Sequence, residues 1–385
     1  MPGSRSSRHA PPISLRSVLI VIGLLILVYA YQIGTFDRWL VPLGLASTQA
    51  PVAAPQSFGS AVTVFFNTPN LVYPDVRGQR GHSPLVEAVI ADFHAARASI
   101  DVAAFDFDLP GLTDALLKAR QRGVNVRMIV DSENLQDANV AAETGRLQQA
   151  GIPMTFQRTQ PFMHNKFLVI DQAVTWTGSW NMTANGTYRN NNNFQRFASG
   201  KLSADYVAEF EQMFSGSFGS AKAQLTRFEH VQVGAASIDV YFSPEDGVAQ
   251  HVLARLNQAQ RSIRFMTFSF TSDPIADAML RKRAAGLQVQ GVFEAQNANG
   301  TGSEFNRLRR GDITVVPDGN CYIMHHKVII IDDRTVITGS YNFTSSAERY
   351  NDENLVIIDD SEVAQQYTEE FNRVYAQARS PARCR

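Results

Sequence analysis

Cysteine is nearly absent from this chain: Cys321 and Cys384 are the only two in 385 residues. Two widely spaced cysteines define no disulfide framework. No cysteine–histidine cluster has zinc-ligand spacing, so neither a metal nor another cofactor is expected. Charge of one sign is missing too. The formal net charge is -1, which excludes a global positive field that would draw in nucleic acid and leaves only a local basic patch. Long hydrophobic runs are scarce. One, at residues 18–31, is nearly unbroken and can be extended to Ile33 across Gln32. It is short against the roughly 20 apolar residues of a membrane span. With 44% hydrophobic and 18% charged residues, disorder of the whole chain is excluded, and the length is enough for two lobes with sizeable cores.

The N-terminus carries an ordered pattern. Arg5, Arg8 and Arg16 precede the apolar run, the order that an export signal needs. Residues 1–16 are expected to form a basic tail and 17–34 a single membrane anchor. The alternative is a cleaved signal with Val28 and Ala30 at the cleavage site. The balanced pair Asp37 and Arg38 follows the run, so the charge bias places the rest of the chain outside the cytoplasm, secreted if the segment is cleaved. Residues 35–60 read as an interfacial stretch with Phe36 and Trp39, then a linker rich in Ala, Pro and Ser.

The body repeats itself. Ser99, Ile100 and Phe105-Asp106-Phe107 recur as Ser262, Ile263 and Phe268-Ser269-Phe270. Asp114-Ala115-Leu116-Leu117 recurs as Asp277-Ala278-Met279-Leu280, and Gly123-Val124 as Gly286-Leu287. Such self-similarity indicates two copies of one unit. We place them at 61–220 and 237–380, joined by a connector at 221–236. Apolar spacing predicts helices over 85–98 and 112–122, strands over 100–107 and 124–130, and a further helix ending near Ala150. Short β-rich runs follow at 167–170 and 174–177. This alternation indicates an α/β fold, with the two units packed about a pseudo-twofold axis and equivalent loops facing one cleft.

Each unit carries one polar signature. His164, Lys166, Asp171, Gly178, Ser179 and Asn181 recur with identical spacing as His325, Lys327, Asp332, Gly339, Ser340 and Asn342. The pattern is H-x-K-x4-D-x6-G-S-x-N. His and Lys two apart on a strand share a face. A turn after the next strand can return Ser179 and Asn181 to His164. Doubling the set gives two histidines, two lysines and two asparagines around one point. That combination suits a phosphate, whose non-bridging oxygens Lys166, Ser179, Asn181, Lys327, Ser340 and Asn342 would bind. Asp171 and Asp332, at the far ends of apolar strands, are candidate catalytic residues or turn holders.

These residues resemble the phospholipase D superfamily, whose hallmark is the His-x-Lys…Asp motif followed by Gly-Ser-x-Asn. The resemblance implies two tandem α/β sandwich units sharing one site. It also implies that one histidine attacks phosphorus to form a phosphohistidine while the other protonates the leaving alcohol. Simpler nucleases of the superfamily carry a histidine-orienting glutamate eleven residues after the motif Asn. Glu353 stands there in the second copy and Asn192 in the first. If each meets its own histidine, Glu353 favours a cationic His325, the general acid, and His164 is the nucleophile.

The expected function is hydrolysis of the terminal phosphodiester of glycerophospholipids at a membrane surface, with no obligate protein partner. The alternatives are an exported nuclease and a cardiolipin synthase-like phosphatidyltransferase. Pro161-Phe162-Met163 and Tyr322-Ile323-Met324 adjoin the histidines and could meet lipid groups. Arg281-Lys282-Arg283 and Arg307 to Arg310 could meet the phosphates of a nucleic acid.

Overall fold

The computed structural model describes residues 61–69, 73–157 and 161–381. The expected basic tail, membrane segment and interfacial linker, residues 1–60, lie outside them. Among the described residues no helix is long and apolar enough to cross a membrane.

The first unit runs through β1 (Val62–Asn67), α1 (Pro84–Ala95), β2 (Ser99–Ala104), α2 (Pro110–Gln121), β3 (Asn125–Asp131), α3 (Ala138–Gln149) and β4 (Met154–Gln157). It continues through β5 (Lys166–Ile170), β6 (Val174–Gly178), the short α4 (Ala184–Tyr188), β7 (Asn192–Ala198) and the long α5 (Gly200–Phe214). The second unit begins with a short edge strand, β8 (Val231–Val233), inside the stretch read as connector. It then repeats the order: β9 (Ala236–Ser243), α6 (Val248–Gln258), β10 (Ser262–Thr267), α7 (Asp273–Ala284), β11 (Gln288–Phe293), α8 (Phe305–Arg310) and β12 (Thr314–Pro317). It closes with β13 (Lys327–Ile331), β14 (Thr335–Gly339), α9 (Ser345–Arg349), β15 (Glu353–Asp359) and α10 (Ser361–Arg379).

The two sheets confirm the duplication. The first has the order β1-β7-β6-β5-β2-β3-β4. The second, read from its β8 edge, has β9-β15-β14-β13-β10-β11-β12, the same sequence of equivalent strands. Both sheets are mixed. β2-β3-β4 and β10-β11-β12 pair in parallel through helical crossovers, while the remaining pairs are antiparallel.

Strand alternation distributes the core. Phe167 and Val169 on β5 join one apolar cluster, whereas Leu168 and Ile170 join another. On β13 the same split separates Val328 and Ile330 from Ile329 and Ile331. The shared cluster lies between the sheets. It takes Tyr206 and Phe210 from α5 and Tyr367 and Phe371 from α10. The other two clusters are private to each unit and are covered by α1 and α2 or by α6 and α7. The strand expected to reach Phe107 ends at Ala104. There the chain leaves the sheet, and Phe105 N–H donates to the Asn165 carbonyl at 3.1 Å.

Candidate active site

His164 and His325 lie just before their strands, not on them, so shared strand parity does not place them beside their lysines. What places them is the backbone of the other unit. His164 N–H donates to the Asp352 carbonyl at 3.0 Å, and Asp352 N–H to the Phe162 carbonyl at 2.9 Å. Reciprocally, His325 N–H donates to the Asn191 carbonyl at 2.9 Å, and Asn191 N–H to the Ile323 carbonyl at 3.0 Å. Two parallel bridges, Met163 with Asp352 and Asn191 with Met324, therefore cross between the units.

This crossing overturns one expectation. Asp352 directly precedes Glu353 and Asn191 directly precedes Asn192, so each bridge delivers an orienting side chain to the opposite histidine. His164 Nδ1 pairs with Glu353 Oε2 at 2.7 Å, and His325 Nδ1 pairs with Asn192 Oδ1 at 3.0 Å. Glu353 does not meet its own unit's histidine. The Asn192 Nδ2 group donates to the Gly186 carbonyl, which fixes its Oδ1 as the acceptor. Nδ1 of His325 is then the donor to that amide, and the Ser179 backbone also hydrogen-bonds to this ring.

The motif serines also differ from expectation. Ser340 Oγ donates to Glu353 Oε2 at 2.8 Å and accepts from Asn354 N–H. Ser179 Oγ donates to Asn192 Oδ1 at 2.9 Å and accepts from Asn193 N–H. Their protons are directed at the orienting side chains, so they fix the histidine partners. The motif glycines serve the same turn. A Cβ on Gly178 would lie 2.3 Å from the Asn193 carbonyl oxygen, and one on Gly339 would lie 2.3 Å from that of Asn354. Any side chain there would force apart the contact that seats the serines.

Asp171 and Asp332 stand away from this chemistry. Asp171 carboxylate accepts from the N–H groups of Arg97, Ala98 and Ser99, and Asp332 from those of Gln260, Arg261 and Ser262. Burial works against their charge, but those donors outweigh it and hold both carboxyls below the ordinary range. Asp171 and Gln172 have φ of 52°, and Asp332 and Asp333 have φ of 55° and 54°. These left-handed pairs make the tight hairpin turns of β5-β6 and β13-β14. The aspartates hold these turns.

The lysines close the site. Lys166 Nζ donates to the His164 carbonyl at 2.7 Å, and Lys327 Nζ to the His325 carbonyl at 2.9 Å. Each ammonium also sits over a ring, Phe105 at 4.8 Å and Phe268 at 4.7 Å. The same rings meet the histidines edge-on at 4.7 and 4.9 Å. Phe105 and Phe268 were visible in the repeat but gave no sign of a role, because aromatic residues beside strands most often fill core.

Burial dominates the electrostatics. It pushes His164 down to about 4 against the pull of Glu353, and Lys166 down to about 7. His325 and Lys327 fall well below their ordinary values by burial and by the neighbouring lysine charges. Glu353 stays low despite burial, because His164 and Lys166 lie beside it. The charges of both lysines act on both histidines, so the two motifs form one site. Glu353 acts on His164 and on both lysines, and Asp106 and Asp131 act on Lys166 as well. The Oδ1 atoms of Asn181 and Asn342 are buried with no partner among the described residues.

The family described as "Cardiolipin synthase, PLD-like domain" matches residues 89–214 and 252–375, one copy in each unit. The chain belongs to this phospholipase D-like family. The phospholipase D of Rickettsia conorii is 30% identical over 148 residues, covering 38% of this chain and 74% of that one. The mitochondrial cardiolipin hydrolase of Xenopus tropicalis is 32% identical over 130 residues, 34% of this chain and 62% of that one. The solved phosphatidylserine synthase of Haemophilus influenzae shares the fold over 76% of this chain and 84% of its own, with TM-score 0.59 and 16% identity. No group of three or more His, Cys, Asp or Glu among the described residues is arranged to hold a metal ion.

Behind this phospholipase D-like site lies a second layer that the sequence did not reveal. His326 bridges Asn193 Oδ1 at 2.9 Å and Glu370 Oε1 at 3.1 Å. Its counterpart Asn165 accepts from Asn354 Nδ2 at 2.7 Å and donates to Glu209. Glu209 in turn meets Lys222, which also pairs with Glu245 and Asp352.

Proposed function

We propose that this phosphodiesterase hydrolyses the headgroup ester of glycerophospholipids, giving phosphatidate and a free alcohol. The observation that carries the reading is the buried pairing of His164 with Glu353, opposite a His325 held by a neutral amide. Lys166, Lys327, Asn181 and Asn342 hold the non-bridging oxygens. His164 Nε2 attacks phosphorus, and the bond to the headgroup oxygen breaks as His325 gives that oxygen a proton. His325 then takes a proton from water. The hydroxide displaces His164, leaving His164 neutral and His325 protonated, as the first step requires.

The roles follow from where positive charge must last. A phosphorylated imidazole that keeps Nδ1–H is cationic for the whole life of the intermediate, and Glu353 beside His164 stabilises that charge. His325 is charged only while it holds the transferable proton. An amide partner leaves that proton easy to give up. His164 thus keeps the nucleophile's role, for a reason opposite to the one the spacing suggested.

The relatives' names support lipid as the substrate class. The test is turnover by the full-length protein on phosphatidylcholine, phosphatidylglycerol and cardiolipin vesicles, against single- and double-stranded DNA and RNA. Release of headgroup alcohol from vesicles is expected. Cleavage of nucleic acid alone would overturn the reading in favour of a nuclease. Transfer to added glycerol without hydrolysis would overturn it in favour of a phosphatidyltransferase.

The same proposal places the body outside the cytoplasm. Its support is the order of Arg5, Arg8 and Arg16 before the apolar run, together with Cys321, which is disulfide-bonded. Protease treatment of intact cells should remove the body, and protection of it would refute this placement.

A further inference from the structure

The two halves of the site have different surroundings. Beside His164 lies a cavity of about 340 Å³ lined by Pro161, Phe162, Ser346, Tyr350 and Asn351. It adjoins the reacting group. The Phe162 ring meets Phe105 edge-on at 5.9 Å, and Phe105 meets His164. Asn351 Nδ2 donates to Glu353 Oε1 at 3.3 Å.

Shifted as His325 is to His164, the equivalent lining on the other side is Tyr322, Ile323, Asn185, Arg189 and Asn190. That side is covered by the segment that follows β1. Asp75 pairs with Arg189 at 2.9 Å and with Arg80 at 2.5 Å. Asp75 N–H donates to the Tyr322 hydroxyl at 2.7 Å, and Tyr73 lies against the Tyr322 ring at 5.5 Å. Arg80 sits over Tyr188 at 4.8 Å. The second unit has no such segment. Residues 68–83 separate β1 from α1, whereas only 244–247 separate β9 from α6.

We propose that the Phe162–Tyr350 cavity is the subsite for the glyceryl end and first acyl methylenes of a phospholipid, and that residues 73–82 plug its twin. A diester then enters in one orientation. This rests on the lipid reading above and adds where the lipid sits. The chemistry supports that occupant. Among the described residues the open lining joins Pro161, Phe162 and Tyr350 to the neutral Ser346 and Asn351 and carries no lysine or arginine, so these residues offer no track for the further phosphates of a polynucleotide. Tyr350 is 55% exposed, and Tyr73 and Val76 of the plug are 43% and 46% exposed. These water-facing apolar groups sit beside the two mouths, which suits contact with a lipid surface rather than with water alone.

The test fills the cavity without touching the histidines, the lysines or Glu353. Ser346→Trp in the full-length protein is assayed on dihexanoylphosphatidylcholine and on methyl 4-nitrophenyl phosphate, a diester with no glyceryl part. A loss of about tenfold or more in kcat/KM on the phospholipid, with the small diester within about twofold, is expected from occluding an apolar subsite. Equal losses on both substrates, or none on either, would overturn the subsite. If Ser346→Trp melts early, Tyr350→Ala removes the lining instead and should show the same selective loss. A wild-type protein that turns over only the small diester would overturn the lipid reading itself, a different outcome from an indifferent variant. For the plug, Asp75→Ala removes both ion pairs and should raise turnover of bis(4-nitrophenyl) phosphate, which is bulky on both sides. Unchanged turnover would refute the plug.

Discussion

At His164 the inner ring nitrogen faces a buried carboxylate, whereas at His325 the same nitrogen faces an amide. Nearly everything else around the two rings is matched: the lysine on the histidine's own carbonyl, the phenylalanine edge, the serine behind the orienting side chain and the bridge to the opposite unit. Duplicated backbone has kept two geometries alike, while a single pair of side chains, Glu353 and Asn192, sets their charges apart. In a buried site that is a large difference, since an anion in contact with an imidazole competes directly with the cost of desolvating its charged form. Equivalence of position therefore does not imply equivalence of role.

The largest effect should come from removing either ring. His164→Ala or His325→Ala is expected to abolish steady-state turnover, since acid–base catalysis alone is worth roughly 10²–10⁴-fold and the covalent route is lost as well. The two should fail differently. With a nitrophenyl ester, whose leaving group needs no proton, His325→Ala should accumulate a phosphoryl group on His164, located by acid quench and mass spectrometry. Phosphate found on His325 in the His164→Ala protein would reverse the roles.

Next in size is the pair that makes the halves unequal. Glu353→Gln should cost about 10–100-fold in kcat, as is typical for the partner of a working histidine, and Asn192→Ala should cost less. Equal losses would mean that the charge difference has no catalytic meaning.

A smaller effect concerns stability against pH. The folded-state pKa of His164, about 4, lies below the ordinary 6.5. Its contribution is thus fully present above pH 6.5 and is lost as pH falls through 4, because the unfolded chain takes up the proton first. Denaturant midpoints should fall across that window, and His164→Ala should flatten the fall. A midpoint that rises on acidification would contradict the burial of a neutral ring.

Smaller still for catalysis are the turn aspartates. Asp171→Asn or Asp332→Asn should cost about 1–3 kcal/mol of stability through weakened backbone hydrogen bonds, with kcat on the folded protein nearly unchanged. A collapse in kcat without a change in melting would restore a catalytic role. Smallest of all, EDTA should leave the rate as it was; loss of activity that a divalent ion restores would break the two-histidine scheme.

Much of this arrangement was legible before any coordinates. The repeat gave the two α/β units, and the doubled motif gave the histidines and lysines whose charges act on one another. What escaped was whatever depends on contact between units. Glu353 stands eleven residues after Asn342, and nothing in that spacing says which histidine it reaches; the bridge from Met163 to Asp352 decides it. Asp171 was ambiguous because a carboxylate at a strand end serves a turn or a reaction equally well, and only its three backbone donors tell them apart. The N-terminal segment, read from charge and hydropathy, lies outside the described residues.

The reciprocal bridges between the units have a consequence for how such a molecule can vary. Each half lends backbone to the other's histidine, so a lone half would complete its site only against a second copy of itself, through a self-complementary contact. In that symmetric pair both entrances would be the same, and a loop that stopped one would stop both. Joining the copies in one chain removes the constraint. One entrance can then be given up to a plug and the other kept, and a site built from mirrored parts acquires a front and a back.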